Sequence, residues 1–114
     1  MITLYYDFTT LNKYINAMNR NRFVGAKIKR TETEFVRLST LNTPPFKTPC
    51  KLKFTWMRTD KRTDADNIAF CKKFILDGLT KSHVIENDSI KYITGFVDEF
   101  EISDKVGVRI ERID

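Results

Sequence analysis

One histidine and two distant cysteines are all the imidazole and thiol side chains among these 114 residues. His83 by itself cannot build the nuclease or metalloprotease motifs that need paired imidazoles. Cys50 and Cys71 form no CxxC, so neither a zinc site nor a disulfide framework is expected, and free thiols in a reducing cytosol are. No apolar run approaches the roughly 20 residues of a membrane span. The stretch Met1-Ile2-Thr3-Leu4-Tyr5-Tyr6-Asp7 also lacks the basic-then-apolar order of a secretory signal. The expectation is a cytoplasmic protein with no membrane partner. With 41% hydrophobic and 31% charged residues the chain can build one core, and residues 1–114 read as a single domain.

Acidic residues are missing from Thr10 to Arg30, where six cations fall instead: Lys13, Arg20, Arg22, Lys27, Lys29 and Arg30. Residues 1–59 hold 11 Lys/Arg against 3 Asp/Glu, a net of +8. Residues 60–114 hold 9 against 12, a net of −3, which together give the formal +5. A block of one sign attracts polyanions, and a DNA backbone is the commonest of them. A merely solvated helix face usually has acids interspersed.

The periodicities alternate between strand and helix. Met1–Phe8 alternates as a strand, Thr9 or Thr10 can cap a helix carrying Leu11, Tyr14, Ile15 and Met18, and helical spacing resumes from Phe23 to Leu38 with a break near Asn19–Asn21 or Gly25. Pro44-Pro45 ends it. Cys50–Arg58 places Leu52, Phe54 and Trp56 on one face, predicting a half-buried strand with Trp56 in the core. A second helix is expected from about Asp64 to Thr80, with Ile68, Cys71, Ile75 and Leu79 as its buried stripe. Strands at Ile90–Phe96 and Val106–Ile113, joined by an acidic turn near Ser103-Asp104-Lys105, complete a β-α-β-α-β-β order. The expected fold class is α+β in two layers, a small mixed sheet with helices packed on it.

Carboxylates gather where the charge reverses. Asp64 and Asp66 stand at the mouth of the second helix and Asp88 follows its end, with Lys61, Arg62, Lys72 and Lys73 close by in sequence. Such a set suits a hard cation beside groups that hold phosphate. The plain alternative is that Asp64 and Asp66 cap the helix and meet its positive dipole end. Asp66, Phe70, Lys73 and Asp77 share a helical row, so a lysine leaning toward the N-terminus could approach the acidic end. Asp77, about 16 Å from Asp66 at 1.5 Å per residue, suits a structural role.

Arg62-Thr63-Asp64-Ala65-Asp66-Asn67, then Asp77-Gly78-Leu79, then Glu86-Asn87-Asp88-Ser89, resembles the RusA-type Holliday junction resolvases. Their signature is an RxDxDN opening, a helix ending in D-[AG]-L and a later aspartate. The likeness is densest over residues 58–95. It implies Mg²⁺ held by Asp64, Asp66 and Asp88, a homodimer acting on four-way DNA junctions, and phosphodiester hydrolysis in DNA recombination and repair. The essential lysine of that family falls four residues after the second aspartate, where this chain has Phe70. Lys73 is the expected substitute and Lys72 the second choice. Lys61, Arg62 and Lys72, with Arg20, Arg22, Lys27, Lys29 and Arg30, are the expected DNA contacts. The competing reading is a non-catalytic basic DNA-binding phage protein whose acids only cap and solvate.

Overall fold

The computed structural model describes all 114 residues, in the order β1 (Ile2–Leu4), α1 (Leu11–Arg20), α2 (Arg22–Ser39), β2 (Cys50–Arg58), α3 (Ala65–Ala69), α4 (Lys72–Lys81), β3 (Ile93–Ile102) and β4 (Gly107–Arg112). The strands form one mixed sheet ordered β1-β4-β2-β3. β4 runs antiparallel to β1 and β2, and β3 runs parallel to β2. The α+β class is as expected, and the order gains a helix on each side of β2.

The alternation in β2 sets the layers. Leu52, Phe54 and Trp56 are buried and continue across the sheet in register: Ile2, Ile110 and Phe54 form one row, and Leu4, Val108 and Trp56 the next. Val36 of α2 and Ile75 and Leu79 of α4 close the core over them. Each large apolar side chain so buried contributes roughly 1.5–3 kcal/mol. The opposite face carries Thr3, Arg109, Thr55 and Glu99 in one row.

Three boundaries differ from expectation. β1 stops at Leu4 because Tyr6 and Phe8 leave the sheet to pack on Phe35 of α2, with the Tyr6 and Phe35 rings stacked at 4.4 Å. The helix expected over 64–80 is two segments, α3 and α4. The break at Phe70–Cys71 leaves Ile68 and Cys71 buried while Phe70 turns against Tyr14 of α1 at 5.1 Å. β3 does not end at Phe96 but runs on to Ile102, pairing with β2 along its whole length. The acidic turn does join β3 to β4, yet not as a hairpin, since β4 crosses to the far side of β2.

The break between α1 and α2 falls at Asn21, one of the expected places. Its extended backbone N–H closes α1 on the Ala17 carbonyl, and its side chain accepts from the Phe23 N–H to cap α2. One residue therefore ends one helix and starts the next, which fixes a tight basic hairpin.

Candidate acidic site and nucleic-acid interface

α4 is held at close range to α2 by Gly78. A Cβ at that position would lie 2.5 Å from Val36 Cβ and 2.8 Å from the Thr33 carbonyl oxygen, so the glycine of the D-G-L triplet is a packing requirement. Beyond Ser82 the chain reverses through His83, whose φ of 65° is left-handed. The His83 N–H donates to the Thr80 carbonyl and the Val84 N–H to the Leu79 carbonyl, the paired bonds of a Schellman ending. That reversal brings residues 84–88 back along the helix. Asp88 arrives at Lys73.

Lys73 is the hub of the site. Its ammonium donates to Asp77 Oδ1 at 2.9 Å, one turn along α4, and to Asp88 Oδ2 at 3.3 Å. The hydrogen bond to Asp77, followed by the charge of Asp77 and the contact with Asp88, raises the lysine pKa above its ordinary value, so it stays cationic. Its side chain is 60% exposed, which leaves the ammonium open to a phosphate. Lys73 does not lean toward Asp66, because two carboxylates nearer the C-terminus hold it. Asp77, expected to be structural, is thus a member of the cluster.

At the other end, Asp64 occupies the N-cap position of α3, yet its side chain makes no capping hydrogen bond. Asp66 accepts only from the N–H of Asn67. Neither carboxylate has a cationic partner within 4.0 Å, in contrast to Asp77 and Asp88. The plain capping role is therefore not realised by Asp64. The Asn67 side-chain oxygen accepts from the Asn12 N–H at 2.8 Å, capping α1 from outside and tying α3 to the basic hairpin. No group of three or more His, Cys, Asp or Glu is placed to hold one metal ion, so Asp64, Asp66 and Asp88 do not meet as a ligand set within this chain.

The cations divide by surroundings. Arg20, Arg22, Lys27, Lys29 and Arg30 are exposed on α1 and α2, and none forms an ion pair. Lys29 and Arg30 line a groove between α2 and α4, of about 280 Å³, with Lys81 on its other wall and Asp77 in its lining. The unpaired cations of α2 thereby run directly to the Lys73 cluster. Sequence reasoning misses Lys81, although it lies four residues beyond Asp77 and so on the same helix face. Lys61 and Arg62 are exposed on the loop before α3, and Lys61 lines a separate pocket with Arg58, Phe100 and Ile102.

Lys72 is turned the other way. Its ammonium donates to Asp98 at 2.7 Å and sits over the Phe54 and Phe96 rings, 5.2 and 4.4 Å from their centroids. With a side chain only 17% exposed, it pins α4 to the sheet. Phe70 is no vacancy either: it joins Tyr14 and Phe74 in an aromatic cluster between α1 and α4. Burial pushes the Cys71 thiol up to about 12, which keeps it protonated and unreactive. No helix is long and apolar enough to cross a membrane. No family model matches the chain, and no curated protein matches it.

Proposed function

We propose that this protein is a structure-selective DNA endonuclease of the RusA type, cutting the phosphodiester backbone of branched DNA such as a four-way junction with Mg²⁺ as cofactor. The observation that carries this reading is the Lys73–Asp88 ion pair at the end of a groove walled by Lys29, Arg30 and Lys81. With the Lys73–Asp77 contact it joins two separate segments of the resolvase-like motif, D-G-L and the later aspartate, and sets them beside cations that form no ion pair within the chain.

Each group has a task in this reading. Arg20, Arg22, Lys27, Lys29 and Arg30 hold backbone phosphates and give affinity without sequence preference. Lys73, cationic and open to solvent, reaches a phosphate oxygen and stabilises the charge that develops there. From α4 it takes the part that a lysine at the Phe70 position, three residues earlier and across the break between α3 and α4, takes in the family. Asp64, Asp66 and Asp88 offer the carboxylate oxygens that hard cations prefer. As the chain stands they are not gathered round one ion. Asp88 becomes free to serve only when Lys73 lets it go, and an incoming phosphate is the competing partner that can draw the lysine away.

The test is incubation of the protein with a synthetic four-way junction, with and without Mg²⁺, beside the variants Asp64→Asn, Asp66→Asn and Asp88→Asn. Paired nicks that need Mg²⁺ are expected of the wild type. Each variant should lose cleavage while binding the junction as well or more tightly, since a carboxylate that repels phosphate has been removed. Junction binding with no cleavage under any divalent ion would leave the non-catalytic DNA-binding reading standing.

A further inference from the structure

The tip of the basic hairpin carries an aromatic ring that the core does not use. Phe23, the second residue of α2, is 71% exposed, whereas Tyr14 of α1 and Phe35 of α2 pack against the core. Its place is fixed from both sides. The Phe23 N–H donates to the Asn21 side chain at 2.8 Å, and the Arg22 guanidinium lies over one face of the ring, 5.5 Å from its centroid. Gly25, half a turn further on, has no Cβ, and the Met18 thioether of α1 occupies the space that one would fill. The two helices are therefore locked together just behind the ring.

Val24, next to Phe23, is exposed and forms with Lys13, Asn16, Ala17 and Arg20 a cleft of about 250 Å³ between α1 and α2. Neither Lys13 nor Arg20 forms an ion pair. No acidic residue falls between Thr10 and Arg30 to neutralise them. An exposed ring beside an uncompensated positive cleft suits a flat apolar group that carries a negative charge a short way off. A nucleotide whose base has left the duplex stack is such a group. Paired bases offer no free face, so an intact arm of DNA satisfies the cations and not the ring.

We infer that the hairpin tip binds an unpaired nucleotide, with its base stacked on the open face of Phe23 and its phosphate held by Lys13 and Arg20. Arg22, on the other face, adds a cation to the stack. Every base has a π face, so the contact reads whether a strand is paired and not its sequence. This role rests on the proposed DNA nuclease, in which the polyanion drawn to the hairpin is DNA. The cations supply affinity common to all DNA, and Phe23 supplies a preference for branch points, gaps and ends.

Binding in EDTA keeps cleavage out of the measurement. The probes are a single-stranded oligonucleotide carrying one fluorescent purine analogue, whose emission falls on stacking, and the duplex of the same sequence. Wild type should quench the single strand. Phe23→Ala should abolish the quench and weaken single-strand binding by about 5- to 150-fold, the worth of one stacked base, with duplex affinity unchanged. Phe23→Trp should keep both, and Phe23→Leu, apolar but not flat, should behave as Phe23→Ala. Lys13→Ala with Arg20→Ala should weaken both DNAs and lower the salt slope. Phe23 lies outside the core, so its variants should melt as wild type does. Wild-type single-strand affinity in Phe23→Ala or in Phe23→Leu overturns the stacking and leaves the DNA reading intact. Unchanged single-strand affinity in the Lys13 and Arg20 pair overturns the part given to the cleft. A wild type that binds neither probe overturns the DNA reading itself. Binding to anionic phospholipid vesicles that Phe23→Ala removes, without loss on the single strand, overturns the inference and makes the tip a lipid-facing surface.

Discussion

The basic hairpin and the β3 edge carry opposite charge and deal with it in opposite ways. On α1 and α2, Arg20, Arg22, Lys27, Lys29 and Arg30 are open to solvent with no acid at ion-pair distance. On β3, every acid is matched by a cation from β2, β4 or α4. Charge left uncancelled extends its field outward and favours a partner of opposite sign, here a polyanion. Charge cancelled locally leaves shape, apolar area and unpaired main-chain groups as the means of recognition. The two surfaces therefore recognise by different means: the hairpin by its field, on the proposed reading toward DNA, and the edge by shape and main-chain groups.

Adjacent lysines on α4 mark the boundary between these regions and give the largest expected effect. Lys73→Ala should lower the single-turnover cleavage rate by about 10²–10³ with little change in junction affinity, as removal of one preorganised electrostatic donor commonly does. Lys72→Ala should leave that rate near wild type and instead loosen the sheet edge, because its partners are Asp98 and two phenylalanine rings. Equal rate losses in both variants would erase the distinction between the two sides of α4. An unchanged rate in Lys73→Ala would make it an ordinary surface ion pair.

Next in size is the hairpin itself. Changing Arg20 with Arg22, or Lys29 with Arg30, to alanine should weaken binding to all duplex DNAs alike. The log–log salt slope should fall by about 0.9 for each phosphate that is no longer neutralised. Glu99→Gln with Glu101→Gln, on the other region, should leave the slope where it was. A slope that does not respond to the hairpin changes would return those cations to the role of a solvated helix face.

Much of this contrast is legible in the sequence, for local reasons. The alternation of Leu52, Phe54 and Trp56 needs only a period of two to predict the core face of β2, and it does form the core. Asn21 is among the places where a helix could break, and it caps α2 there. What escapes the sequence depends on contacts between distant residues. Lys73 points at Asp88 because a left-handed His83 reverses the chain, an arrangement with no local periodic signal. The length of β3 is hidden because Asp98, Glu99 and Glu101 interrupt the apolar pattern after Phe96 until their cations, supplied by three other elements, are known. Asn67 caps a helix 55 residues away in sequence.

The smallest expected effect concerns the one acid of the hairpin that is buried. Glu32 of α2 is 4% exposed and has no cation; it accepts from the Thr9 N–H at 3.0 and 3.1 Å and from the Thr9 hydroxyl. Burial raises its pKa above the ordinary glutamate value, the Thr9 hydrogen bonds oppose that rise, and nearby Asp7 adds to it. A carboxyl whose folded pKa is raised binds its proton more tightly in the native state. Its contribution to stability is therefore complete below the unfolded glutamate pKa and is lost as pH rises through the folded value. Glu32→Gln keeps an oxygen acceptor for Thr9 and cannot ionise. Between about pH 4 and pH 8, a range spanning the ordinary glutamate pKa and neutrality, the variant should gain stability relative to wild type as pH increases. Urea midpoints across that range measure it, with DNA binding unchanged because Glu32 faces the core and not the groove. Parallel stability curves would show that the buried acid costs nothing on ionising.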